Sequence, residues 1–177
     1  MIYDLVDKEE SVLKSISKQF DFQNPPIDPE EFATNLKESM IHHNGVGLSA
    51  CQVGFPWRVF VAGDPKDPDN IVTMFNPRIV DASEQLVLME EGCLSYPGLF
   101  IKVKRPENIR IRYAKTDGDI VTQSYEGIPA RVILHEYDHM DGITFHNRAS
   151  RFHLDQAKRQ KKKLDKIRKR NYTKLSN

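Results

Sequence analysis

His135-Glu136-Tyr137-Asp138-His139 sets two histidines at i and i+4. On a helix these positions share one face, a turn apart. Both imidazoles can then reach a single metal ion, with Glu136 beside the first as candidate general base. Taken alone, the pattern also fits a solvated helix face with incidental histidines. Its surroundings give the helix bounds. Gly127-Ile128-Pro129 opens it, Asp141-Gly142 closes it, and Val132, Ile133 and Met140 supply an apolar side. A helix of that kind runs through the middle of a domain.

Short extended runs separated by turn residues precede it: Arg58–Ala62, Ile71–Phe75, Gln85–Met89, Leu99–Val103, Asn108–Tyr113 and Ile120–Tyr125. Ile109, Ile111 and Tyr113 alternate with Arg110 and Arg112, as in a half-buried strand. Thr116-Asp117-Gly118-Asp119 is a hairpin turn, and Asn76-Pro77 reads as a stop. This spacing predicts an α+β fold, with antiparallel sheets wrapped around the central metal-binding helix. A first helix is expected from Asp28, a capping residue followed by Pro29 and two glutamates. Phe32, Leu36 and Met40 form its buried stripe, and Asn44-Gly45 ends it. Before it, Leu13, Ile16 and Phe20 suggest a short helical stripe.

Two further segments bear on chemistry. Glu91-Gly92-Cys93-Leu94-Ser95 puts a thiol at the end of a predicted strand. Alone, Cys93 reads as a buried thiol. With His135 and His139 it completes a three-ligand set whose fourth position stays open, the arrangement of a catalytic site; a structural zinc site needs a fourth protein ligand. His42, His43, His146 and His153 read as residues outside the site. Gly45-Val46-Gly47-Leu48-Ser49-Ala50-Cys51-Gln52 brings backbone close to something, either a packed turn or a ligand. Cys51 reads as a small core residue.

At 177 residues the chain fits one domain. It has no apolar run of membrane-spanning length, and its acidic start lacks the order of a signal or transit peptide. Two cysteines make no disulfide framework. The expectation is a cytoplasmic protein without membrane contact. Net charge is only +1, but residues 158–170 hold nine lysines and arginines against one aspartate, a net +8 on an otherwise acidic chain. That segment lacks Pro and Gly and reads as a helix from Leu154 to about Arg170. The domain reading is a catalytic body over 1–152 and a basic helical extension over 153–177.

Taken together, the three ordered motifs resemble the peptide deformylase family, over roughly residues 28–150. The second and third match throughout. The first departs at Ser49, where the family usually has Ala, and at Cys51; Leu134 replaces a usual Gln. The resemblance implies removal of the formyl group from the initiator formyl-methionine of nascent polypeptides. It implies one divalent ion on Cys93, His135 and His139, with Fe(2+) expected and Ni, Co or Zn able to substitute. Glu136 would carry the proton, and the Gln52 amide and Leu94 backbone N–H would serve the oxyanion. Val46 and Gly47 would pair with an extended peptide. Val46, Met89, Gly92, Tyr96 and Val132 are candidates for the substrate pocket, and Arg105 would brace Asp138 behind the metal. The cell would be bacterial or a virus-infected bacterium, or an organelle of bacterial type. The basic tail reads as a solvated extension or as a contact to ribosomal RNA, as in some family members.

Three rival readings remain: a His-Glu-x-x-His protease, which would usually take its third ligand after the helix; a retired enzyme kept as a ribosome-binding module; and a structural zinc domain, which lacks a fourth ligand.

Overall fold

The computed structural model describes residues 1–175, so the last two residues of the expected extension lie outside the described part. The first helix, α1, spans Pro29–His42, and the Asp28 side chain accepts from the Glu31 N–H at 2.8 Å as its cap. Three strands follow: β1 (Gly47–Ser49), β2 (Val59–Ala62) and the longer β3 (Val72–Ala82). The remaining strands are β4 (Leu86–Gly92), β5 (Phe100–Pro106), β6 (Asn108–Ala114) and β7 (Ile120–Glu126). Helix α2 covers Gly127–Met140, a single turn α3 covers Phe145–Arg148, and α4 covers Arg151–Leu175.

All pairings between these strands are antiparallel. A five-stranded sheet runs in the order β1-β2-β3-β6-β7, while β4 and β5 form a separate hairpin. The period-2 geometry of a strand decides what each sheet face meets. Val59 and Val61 of β2 face α1, joining Phe32, Leu36 and Met40 in one core cluster. Phe60 and Ala62 face the other way, joining Ile109, Ile111, Ala130, Ile133 and Met140 in a second. β2 is therefore buried on both sides, which is why its sequence is continuously apolar. Helix α2 touches both the large sheet and β5, and so occupies the centre of the α+β fold.

Three expectations need correction. The stripe of Leu13, Ile16 and Phe20 is not one helix: only Ser11–Lys14 form a 3₁₀ turn, and Ile16 is exposed. Beyond that turn the chain is tied to the segment just before β2, with Lys18 N–H donating to Pro56 O and Arg58 N–H to Lys18 O, both at 2.7 Å. Asn76-Pro77 does not end β3. Asn76 takes φ 49°, the pairing with β6 slips there, and the strand continues to Ala82. The Asn76 side chain accepts from Phe20 N–H at 2.7 Å and donates to Phe20 O at 2.9 Å, which holds the kink. Finally, α4 starts three residues before Leu154, where Ser150 Oγ accepts from His153 N–H at 3.3 Å. Leu154 and Ala157 on its first turns pack with Leu99, Ile101, Val103 and Phe145. Among the described residues, no helix is long and apolar enough to cross a membrane.

Candidate metal centre

Two elements converge on one point. Helix α2 presents His135 and His139, with ring centroids 5.0 Å apart. Cys93 follows the last residue of β4. One ligand atom from each of the three lies within 4.8 Å of the other two, and Cys93 Sγ is 3.3 Å from His139 Nε2. His42, His43, His146 and His153 lie outside this group.

The donor set suits a divalent metal. His135 Nδ1 donates to Glu91 Oε2 at 3.0 Å, which fixes the tautomer and leaves the Nε2 lone pair available. His139 is buried, its Nδ1 has no hydrogen-bond partner among the described residues, and burial holds the ring neutral, well below the usual imidazole range. Its Nε2 faces the Cys93 sulfur, the placement that two ligands of one ion would take. A cysteine sulfur with two imidazoles and an open fourth position is an arrangement compatible with catalysis.

Glu136 and Gln52 flank the three ligands. Glu136 is buried, and burial pushes its carboxyl up, against the opposing influence of His135, the Ser49 hydroxyl and Arg105. Gln52 Oε1 accepts from Ser49 N–H at 2.9 Å, which turns its amide nitrogen toward Ser95 Oγ at 3.1 Å and Cys93 Sγ at 3.5 Å. Cys51 is wholly buried, with its thiol pushed up to about 12 chiefly by burial, and its Sγ lies 3.6 Å from His139 O. It packs beneath the site.

A chain of buried charges stands behind the ligands. Glu91 accepts from Arg105 Nε at 2.6 Å, Arg131 Nη1 at 2.8 Å and His135 Nδ1. Burial works against its charge, but these three donors outweigh it and hold the carboxyl well below the usual range. Asp138 accepts from Arg105 Nη1 and from Arg148 Nη2, both at 2.6 Å. The Arg105–Asp138 pair was expected; Glu91, Arg131 and Arg148 were missed. A signal for Arg131 existed: it stands four residues before His135 on the same face, in the otherwise apolar first half of the helix.

A cavity of about 510 Å³ opens onto His135 and Glu136, and Val46, Gly47, Met89, Gly92, Leu94 and Val132 line it. Tyr96 does not. Its ring packs 5.9 Å from Phe145 and 4.5 Å from His146, on a neighbouring concavity. Ile128 and Phe100 line the cavity and were not foreseen. Both are exposed apolar side chains at its mouth.

Comparison with known proteins gives a consistent result. Residues 2–155 match the family model for polypeptide deformylase. A peptide deformylase of Thermotoga neapolitana is 42% identical over 106 residues, which is 60% of this chain and 63% of that one. One from Fusobacterium nucleatum is 37% identical over 145 residues, 82% of either chain. Among solved structures, the Met-Ala-Ser-bound class I type b peptide deformylase of Acinetobacter baumannii superposes with TM-score 0.77 at 33% identity. That match covers 84% of this chain and 98% of the other.

Proposed function

The chain belongs to the peptide deformylase family, metal-dependent hydrolases that remove the N-formyl group from nascent polypeptides, and from that premise we propose how its own residues divide the work. The observation that carries the reading is the convergence of Cys93, His135 and His139 within 4.8 Å, beside the buried carboxylate of Glu136 and at the end of an apolar cavity.

Cys93, His135 and His139 hold one divalent ion, Fe(2+) by expectation, with Ni, Co or Zn able to substitute. When bound, the ion supplies a positive charge that acidifies water toward neutrality and polarises the formyl oxygen. Glu136 takes the proton of the attacking water and hands it to the departing amine, so that the C–N bond breaks to formate and a free amino terminus. The Gln52 amide and the Leu94 backbone N–H donate to the oxygen that gains charge. Val46, Met89 and Val132 form an apolar pocket for the methionine side chain, and Val46 and Gly47 offer backbone to the peptide that follows. Gly92, with Phe100 packed over its open side, completes the wall. Asp138, held by Arg105 and Arg148, fixes α2 behind the ligands.

The direct test is formate release from a formyl-Met peptide by protein loaded with Fe(2+) or Ni under low oxygen. No formate from folded, metal-containing protein would overturn the reading. Gln52→Leu keeps the ligands but removes the donor, and is expected to cost roughly 100-fold in kcat, a typical value for one such donor. A variant with full activity would remove Gln52 from this role.

We also propose that residues 1–152 form the catalytic body and 153–177 an extension that contacts ribosomal RNA, in the cytoplasm of a bacterial-type cell. The charge of the extension supports this. Because Leu154 and Ala157 pack on the body, the informative truncation falls after Lys161. It should leave formate release within about twofold of the parent and abolish the salt-sensitive part of ribosome binding. Equal ribosome binding by the shortened chain would rule the contact out.

A further inference from the structure

Strand β1 clamps Glu136 with two devices that share one face. Gly47 and Ser49 are two residues apart, so their side-chain positions point the same way, and they meet the same carboxylate. At Gly47 a Cβ would lie 2.5 Å from Glu136 Oε1, so only glycine admits the carboxylate at that distance. At Ser49 the hydroxyl donates to the other oxygen, Oε2, at 2.7 Å, and lies 3.0 Å from the Glu136 carbonyl oxygen. Ser49 is fully buried, so water does not substitute for it. Its backbone N–H separately orients Gln52 at 2.9 Å, whatever side chain the residue carries.

We propose that Ser49 is a positioning residue for the reaction, its hydroxyl fixing the orientation of the Glu136 carboxylate. This rests on the reading of Glu136 as proton carrier. Without the hydroxyl, one carboxylate oxygen has lost its partner in a buried site, and the side chain samples orientations in which it does not face the attacking water. The backbone bond from Ser49 to Gln52 survives in Ser49→Ala, but the substitution also removes the hydroxyl that caps the Gln52 backbone N–H, so a background without the Glu136 carboxylate is needed to isolate the clamp.

The test combines kinetics with unfolding, both on the metal-loaded protein. Ser49→Ala is expected to lower kcat for a formyl-Met peptide about tenfold, as for a hydrogen bond to a charged group, with KM and metal content unchanged. Its denaturation midpoint should fall at least twice as far in the parent as in the Glu136→Ala background, where the hydroxyl keeps the carbonyl contact and the Gln52 backbone N–H but has no carboxylate. A kcat within twofold of the parent overturns the proposal, and so do equal midpoint shifts in the two backgrounds. A parent that releases no formate would instead overturn the reading of the site, while the midpoint comparison would still decide whether the clamp exists.

Discussion

Glu136→Ala should release formate about 10³-fold more slowly than the parent, within the 10²–10⁴ range of general acid–base catalysis, and should still carry one metal ion per chain. The three ligand atoms come from Cys93, His135 and His139, so deleting the carboxylate removes no ligand. Nor should it unfold the protein. The buried carboxylate has one side-chain donor, Ser49, and burial disfavours its charge; removing such a group relieves desolvation as well as losing a contact. Glu136→Gln separates geometry from chemistry. The amide oxygen can still accept from Ser49, but an amide cannot accept and return a proton near neutrality, so it should be nearly as slow as the alanine variant. A glutamine variant with parental kcat would mean that Glu136 acts by shape. Metal loss in either variant, measured as bound metal per chain, would show that the rate falls for another reason.

Local patterns carried much of the fold, and the failures share one cause. The alternation of Ile109, Ile111 and Tyr113 with two arginines is a real strand face, the apolar three buried and the arginines exposed. The Asp28 cap and the α2 bounds were legible because capping and glycine stops act within a few residues. Asn76-Pro77 misled because its kink is held by Phe20, 56 residues away. The Ser49–Glu136 bond spans 87 residues and Arg131–Glu91 spans 40; no spacing rule reaches that far. The Cys93, His135 and His139 cluster was readable because a metal site demands particular side chains. The charged groups behind the ligands were harder, since any buried acid can pair with any buried arginine, and only the tertiary fold selects which. Arg105–Asp138 was foreseen through family resemblance, whereas Glu91, with three partners, was passed over as a motif residue.

That omission leads to the largest expected effect on stability. Glu91→Ala should destabilise the protein by about 3–5 kcal/mol, the cost of removing one partner from a buried ion pair. Glu91 sits between two arginines and a histidine, all of them buried. Without it Arg105 retains Asp138, and Arg131 retains the carbonyl oxygens of Val103 and Val87 at 2.8 and 2.5 Å. Two guanidinium groups would then share a buried region with one carboxylate fewer. His135 would also lose the acceptor that fixes its tautomer, so metal affinity should fall about 10–100-fold. The two effects come from different partners of the same carboxylate and can be separated. Arg131→Met leaves the Glu91–His135 bond in place, so it should lower the denaturation midpoint while changing metal affinity much less than Glu91→Ala does. Equal losses of metal affinity in the two variants would mean that the charge network holds the metal site as a unit; a Glu91→Ala protein with parental midpoint and affinity would mean that the buried network is dispensable to both.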